Sequence, residues 1–132
     1  MSKDLKQPTH NRLIAAFRAV GPYLREEQCT EKLYWFDCLS VCINDKKSPE
    51  LREFWGWWMT LEFDGESQFT AKYEVGRYDS KNEWSDEKPQ ASALEEVRRT
   101  QRVFHDKLTE MLAERFALTD VRLLSEVLSP AD

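Results

Sequence analysis

The sequence predicts an α+β protein: a small antiparallel sheet of three to four strands in meander order, with a short N-terminal helix and a long C-terminal helix packed on it. Three observations carry this. Aromatic and β-branched runs fill residues 33–78, apolar residues recur at helical spacing from Leu94 to about Phe116, and a shorter helical stripe precedes both.

Residues 1–8 are polar and read as a flexible start. From Thr9 or Asn11, either a suitable N-cap, apolar residues recur at Leu13, Ile14, Phe17 and Val20, and Gly21-Pro22 ends the helix. Its polar side presents Arg12 and Arg18. Leu33 to Ile43 is long, aromatic and β-branched, without Gly or Pro, and reads as the first strand. A polar loop holding Lys46-Lys47 and Pro49 leads into the second, which runs to about Phe63. Asp64-Gly65 signals a hairpin. Gln68 to Tyr78 then alternates Phe69, Ala71, Tyr73 and Val75 against Thr70, Lys72 and Glu74. A fourth short strand fits near Glu83-Trp84.

After Pro89 the period changes. Ser92-Ala93-Leu94-Glu95 has the form of a capping box. Behind it Leu94, Val97, Phe104, Leu108, Met111 and Leu112 form a helical stripe that Gln101 interrupts. Such a helix spans about 35 Å, enough to cover one face of a small sheet. Val121 to Leu128 is expected to add a last amphipathic turn or two, within a variable tail over residues 119–132.

The second strand raises the question of function. Arg52 to Phe63 holds three of the five tryptophans. Alternation puts Trp55, Trp57, Met59, Leu61 and Phe63 on one face, and Phe54, Gly56, Trp58, Thr60 and Glu62 on the other. One apolar face serves the core. The second must be covered by another part of the chain or by a partner.

Bulk composition narrows the classes. A chain of 132 residues is most simply one domain, 1–132, with a core large enough to stand without disulfides. No run of about 18 apolar residues is present, so no ordinary membrane span is expected. Met1-Ser2-Lys3-Asp4 does not lead into the apolar core of a secretory signal, and a cytoplasmic protein is expected. The net charge of −5 argues against specific nucleic-acid binding. Residues 1–52 nevertheless hold nine Lys/Arg against seven Asp/Glu, which suits an acidic patch on a protein partner. Cys38 and Cys42, on one face of a regular strand and roughly 13 Å apart, are too distant for a disulfide or a shared metal.

Groups for catalysis are few. His10 and His105 are the only histidines, and no Gly-rich phosphate loop, nucleophile motif or ligand-spaced cluster occurs. Asp37, the one acid inside the first strand, is expected to hydrogen-bond locally or pair with an arginine. No enzyme, metal or cofactor is predicted. Binding finds more support: Arg52, Phe54, Trp55, Trp57 and Trp58 are of the types that dominate protein interfaces, and Tyr23 follows a Gly-Pro turn close to Arg25.

Three blocks carry a resemblance: Gly-Pro-Tyr-x-Arg-Glu (21–26), Phe-Asp-Cys-Leu-x-Val-Cys (36–42) and Pro-Glu-x-Arg-Glu-Phe-Trp-Gly-Trp-Trp-Met (49–59). In this order and spacing the chain resembles the Crl family of sigma factor-binding proteins from about Arg12 to Met59, more loosely onward, and fades after about Phe116. It departs from the pattern at Glu27, in the loop Asp45 to Ser48 and in the tail. The resemblance implies a transcription activator that binds the second domain of sigma S, the stationary-phase sigma subunit of RNA polymerase. It implies that the protein favours assembly of that subunit with core polymerase and touches the polymerase clamp; apart from the resemblance, a monomer is expected. The resemblance carries a sigma-contacting role onto Tyr23, Arg52, Phe54 and Trp57, with Arg52 facing a carboxylate. Arg12, Arg25 and Asp37 are further candidates for the same surface, and the long helix, about Arg99 to Arg122, is implied to matter for activity.

On this reading Trp55 and Trp58 stay with the fold. Because alternation sets Phe54 and Trp57 on opposite faces, a bulge at Gly56 or a contact at the strand end is expected to reconcile them. The alternative from the residues alone is a small carrier for an apolar ligand, using the aromatic sheet face as a pocket. A single-stranded nucleic-acid binder stacking bases on the tryptophans is disfavoured by the acidic balance.

Overall fold

The computed structural model describes residues 8–21 and 23–124. The rest of the expected flexible start and the last part of the expected tail lie outside the described residues. Helix α1 spans His10–Val20 and β1 spans Leu33–Cys42. They are followed by β2 (Phe54–Phe63), β3 (Gln68–Tyr78) and β4 (Trp84–Ser85). Helix α2 covers Ala91–Phe116 and β5 covers Asp120–Leu123, with short 3₁₀ turns at Glu26–Gln28 and Pro49–Leu51. Thr9 caps α1, its side chain accepting from the Arg12 amide at 3.3 Å. At the β2–β3 hairpin, Asp64 Oδ1 accepts from the amides of Glu66, Ser67 and Gln68, which closes the turn.

Strands β1 to β4 follow one another as an antiparallel meander, as the sequence predicts. The sheet is larger than that and mixed, because β5 runs parallel to β3. It shares the outer edge of β3 with β4: β5 pairs Gln68 to Ala71, and β4 pairs Arg77 and Tyr78. The expected helical turn beginning at Val121 is therefore corrected. Ala117 adopts the left-handed conformation (φ 57°), and the amides of Ala117 and Leu118 return to the carbonyls of Ala113 and Leu112. That geometry ends α2 and sends the chain back along the open edge of β3, where the β-branched Val121 pairs with Phe69. The capping box is also absent. Helix α2 starts one residue before Ser92, behind an extended Gln90 whose side chain makes no capping bond.

The core lies between one sheet face and the two helices. Tyr34 and Phe36 from β1, Trp57, Met59, Leu61 and Phe63 from β2, and Phe69, Ala71 and Tyr73 from β3 meet Leu13 and Phe17 of α1. Val97, Phe104, Leu108, Leu112 and Phe116 of α2 close it. Gln101 does not break this stripe but joins it. It is fully buried, and neither its amide oxygen nor its amide nitrogen has a hydrogen-bond partner. Such a group costs about 1–3 kcal/mol, which the aromatic packing around it must offset.

Where β1 passes the start of β2, Leu39 pairs with Gly56 and Val41 with Trp55, so Ser40 is an extra residue. The bulge thus falls on β1, opposite Gly56, while β2 keeps an unbroken register with β3 from Phe54 to Phe63. It also corrects the placement of the cysteines. Cys38 pairs with Trp57 and Cys42 with Phe54, neighbours on opposite faces of β2, so the two thiols do not share a face.

Helix α2 also carries His105, half-buried with Nδ1 2.9 Å from the Tyr73 hydroxyl. Burial pushes its pKa below the ordinary 6.5, and the neighbouring Asp106 only partly opposes this. The unfolded chain therefore takes up a proton at a pH where the folded chain resists it. Stability present above the ordinary value is lost as pH falls through the lowered one. Thermal melts between about pH 7.5 and pH 5 should show a falling Tm that flattens in His105→Gln; an unchanged slope in that variant would refute this assignment.

Candidate functional site

The site begins at the outer edge of β1. Residues 23–25 lie antiparallel beside it: the Asp37 amide donates to the Tyr23 carbonyl (2.9 Å) and the Arg25 amide to that of Trp35 (2.8 Å). The 3₁₀ turn at Glu26–Gln28, which contains Glu27, then leads the chain back toward β1. This short pairing fixes Tyr23 against the core, stacked on Trp57 (ring centroids 6.1 Å, 27°) and edge-on to Phe104 (5.2 Å). A Cβ at Gly21 would come within 2.6 Å of the tyrosine ring, so glycine leaves room for it. Tyr23, Leu24, Arg25, Asp37, Cys38 and Leu39 line a shallow groove of about 310 Å³.

Arg25 and Asp37 are each other's partner. The Arg25 Nε lies 2.9 Å from both carboxylate oxygens of Asp37, and Trp84 Nε1 donates to the same carboxylate at 3.3 Å. This is the local arginine pairing expected for Asp37. Burial works against the charge of Arg25, but the Asp37 hydrogen bond and charge outweigh it and raise the guanidinium pKa. Neither group is left as a lone charge for a partner.

Trp84 answers part of the question posed by the two-sided strand. It lies against Trp58 (4.8 Å between centroids) and Tyr78 (5.1 Å), over the cross-strand pair Gly56 and Gly76. A Cβ at Gly56 would meet the Cys38 carbonyl oxygen and come within 3.1 Å of Trp84. Two facing glycines inside strands signal that something passes close over that face. Here it is this chain's own aromatic cluster. Trp58 and Trp55 are half-buried, and Trp55 packs against the core.

Arg52 and Phe54 occupy the far end of β1 and β2. The 3₁₀ turn at Pro49–Leu51 delivers Arg52, and its Nε donates to the Lys47 carbonyl (2.8 Å), tying the side chain to the basic loop. Among the described residues no carboxylate forms an ion pair with it. Phe54 pairs with Cys42 and Tyr78, and its side chain is half-buried. Two exposed large apolar residues lie at this end, Ile43 (39%) just past β1 and Leu51 (50%) in the 3₁₀ turn, and Leu39 (38%) is exposed between it and the Asp37 groove. Sequence reading missed them because Leu39 and Ile43 lie in an apolar strand run that looks like core, and Leu51 lies in a turn with no periodicity to read. Only the fold shows them exposed.

The predicted residues thus do not form one cluster. Tyr23, Arg25 and Asp37 sit together at the β1 edge. Arg52 and Phe54 lie roughly 13 Å further along, at ~3.3 Å per residue over the four β2 steps from Trp58, opposite Asp37, to Phe54, with Leu39 between. Arg12 lies elsewhere: α1 begins where His10 stacks on Tyr34, near Lys32 and Gly65, at the opposite end of the sheet. Trp57 is corrected most. Its side chain is fully buried, packed among Tyr23, Tyr73 and Phe104, with Nε1 donating to Thr100 at 3.1 Å. Even alternation in β2 puts it on the core face, so it cannot face a partner and supports Tyr23 from beneath.

An arginine that meets no carboxylate among the described residues, beside exposed apolar side chains, has the chemistry of a protein-binding surface on a small sheet-and-helix fold. The Crl family, described as sigma factor-binding transcriptional regulator Crl, matches residues 1–127, well past the point where the motif likeness fades. The sigma factor-binding protein Crl of Vibrio vulnificus is 58% identical over 119 residues, covering 90% of this chain and 92% of that one. Its counterpart in Vibrio cholerae serotype O1 is 52% identical with the same coverage. That of Photobacterium profundum is 43% identical over 114 residues, or 86% of this chain and 85% of its own length. This chain belongs to the Crl family of sigma factor-binding transcriptional regulators.

Proposed function

We propose that the protein binds sigma S through that subunit's second domain and promotes its assembly with core RNA polymerase, raising transcription without reading DNA. The observation that carries the reading is Arg52. It is tethered at Nε, meets no carboxylate among the described residues, and has the exposed Leu51 before it in the chain and the exposed Ile43 beside its neighbour Glu53. A guanidinium so held offers its terminal nitrogens to a carboxylate of the partner, while the apolar neighbours exclude water around the pair. Tyr23 and Phe54 provide aromatic contacts on either side of Leu39. Arg25 and Asp37 act as an internal brace of the same edge, and Arg12, at the other end of the sheet, is a separate contact.

Binding alone accounts for the activity. A protein that prefers one arrangement of the sigma subunit, or bridges it to the polymerase clamp, shifts the assembly equilibrium by its differential affinity, tenfold for each ~1.4 kcal/mol. No catalysis, cofactor, metal or nucleic-acid contact is needed. The protein would work as a monomer in the cytoplasm, where the polymerase is. Co-precipitation of the purified protein with sigma S, other sigma subunits and core polymerase tests this. Capture of sigma S above the others supports the reading, and equal capture of all of them, or of none, overturns it.

A further inference from the structure

Thr100 of α2 is a hydrogen-bond hub that joins the helix to two strands. Its hydroxyl donates to the Val97 carbonyl at 2.7 Å, accepts from Trp57 Nε1 at 3.1 Å, and lies 2.8 Å from the Ser40 hydroxyl. A threonine hydroxyl has one proton and two lone pairs. With the proton on Val97, Trp57 fills one lone pair and Ser40 the other, the Ser40 proton turning to Thr100 at 2.8 Å in preference to the weaker Cys38 Sγ acceptor at 3.6 Å. Threonines inside helices often donate back to their own helix. What sets Thr100 apart is that both acceptor sites are filled from the sheet.

The two residues it holds control different parts of the surface. Ser40 is the bulge residue, without a cross-strand partner, and its hydroxyl is held by α2. The bulge decides which way β1 faces beyond it, hence how Cys42 meets Phe54 and how Ile43 lies beside Glu53, next to Arg52. Trp57 is the ring on which Tyr23 stacks. We infer that Thr100 is a positioning residue that sets the Tyr23 edge and the Arg52–Phe54 end relative to each other, an inference that rests on the partner surface proposed above. It also gives α2 a physical connection to that surface although Thr100 itself, half-buried under the sheet, touches no partner.

The test measures affinity for the intact sigma S subunit alongside the indole N–H resonances of the protein. Thr100→Val keeps the shape but removes the hydroxyl; Thr100→Ser keeps the hydroxyl. Thr100→Val should weaken binding about tenfold and move the Trp57 indole resonance, while Thr100→Ser stays near the parent in both. Ser40→Ala strips the hub from the sheet side without orphaning the indole, and should weaken binding several-fold even if Thr100→Val folds poorly. Tyr23→Ala and Arg52→Ala serve as controls for the surface itself. If both controls lose binding while Thr100→Val and Ser40→Ala bind normally, the positioning inference is overturned and the surface stands. Equal losses in Thr100→Ser and Thr100→Val would overturn it too, since packing rather than the hydroxyl would then matter. If neither control loses binding, the surface reading falls and the inference with it.

Discussion

Trp57→Ala is expected to lower the melting temperature by roughly 12–20 °C. Removing a fully buried indole costs about 3–5 kcal/mol, and a domain of this size shifts by about 4 °C per kcal/mol. The side chain is inaccessible, touches Tyr23, Tyr73 and Phe104, and its N–H is bonded to Thr100, so the cavity cannot collapse without moving both β2 and α2. At ~1.4 kcal/mol per tenfold, such a loss raises the ratio of unfolded to folded protein by roughly two to four powers of ten, a large step against a total stability of about 5–15 kcal/mol. Sigma-subunit binding would fall with it, but as a consequence of unfolding and of the lost support under Tyr23. Trp57→Phe should restore most of the stability and, at low temperature, most of the binding. Were Trp57→Ala to melt within about 2 °C of the parent while losing its partner, the indole would have to be a contact residue after all.

This separates what periodicity can read from what it cannot. The strands β1 to β4 and both helices are legible because each has a face of its own: Phe69, Ala71, Tyr73 and Val75 alternate without interruption, and Val97, Phe104, Leu108 and Leu112 keep helical spacing. Alternation also placed Trp57 with Met59 and Leu61, correctly; it was the family resemblance that drew it outward. The bulge at Ser40 left no mark in sequence, because an extra residue changes pairing without changing composition. Strand β5 was missed since four residues carry too little pattern, and its place depends on β3 having an open edge. Gln101 read as an interruption because hydropathy measures the side chain and not its surroundings. At the site, the Arg25–Asp37 pair follows from chemistry alone, whereas the exposure of Leu39, Ile43 and Leu51 follows only from the folded sheet.

Arg52→Ala should do the reverse of Trp57→Ala: weaken partner binding strongly while the melting temperature moves by no more than about 2 °C. Among the described residues its side chain makes one hydrogen bond, to the Lys47 carbonyl, at a partly exposed position. Losing that contact falls among surface changes worth about 0.5 kcal/mol or less. In the complex, removing one member of a desolvated charge pair costs about 2–5 kcal/mol, much of it from the carboxylate left buried without a partner. At ~1.4 kcal/mol per tenfold, that is a loss of roughly 30-fold or more. Arg52→Lys is the sharper variant. It keeps the charge and the aliphatic stem but not the planar fork, so it should recover only a small part of the affinity. On the proposed reading, in which Leu51 and Ile43 shield the pair, raising salt should weaken the parent less than it would weaken a rim charge. Full recovery by lysine would mean that Arg52 supplies only long-range charge, and the exposed apolar residues around it would then carry the specificity. A large fall in stability with normal binding would instead make Arg52 a structural tether of the loop it holds.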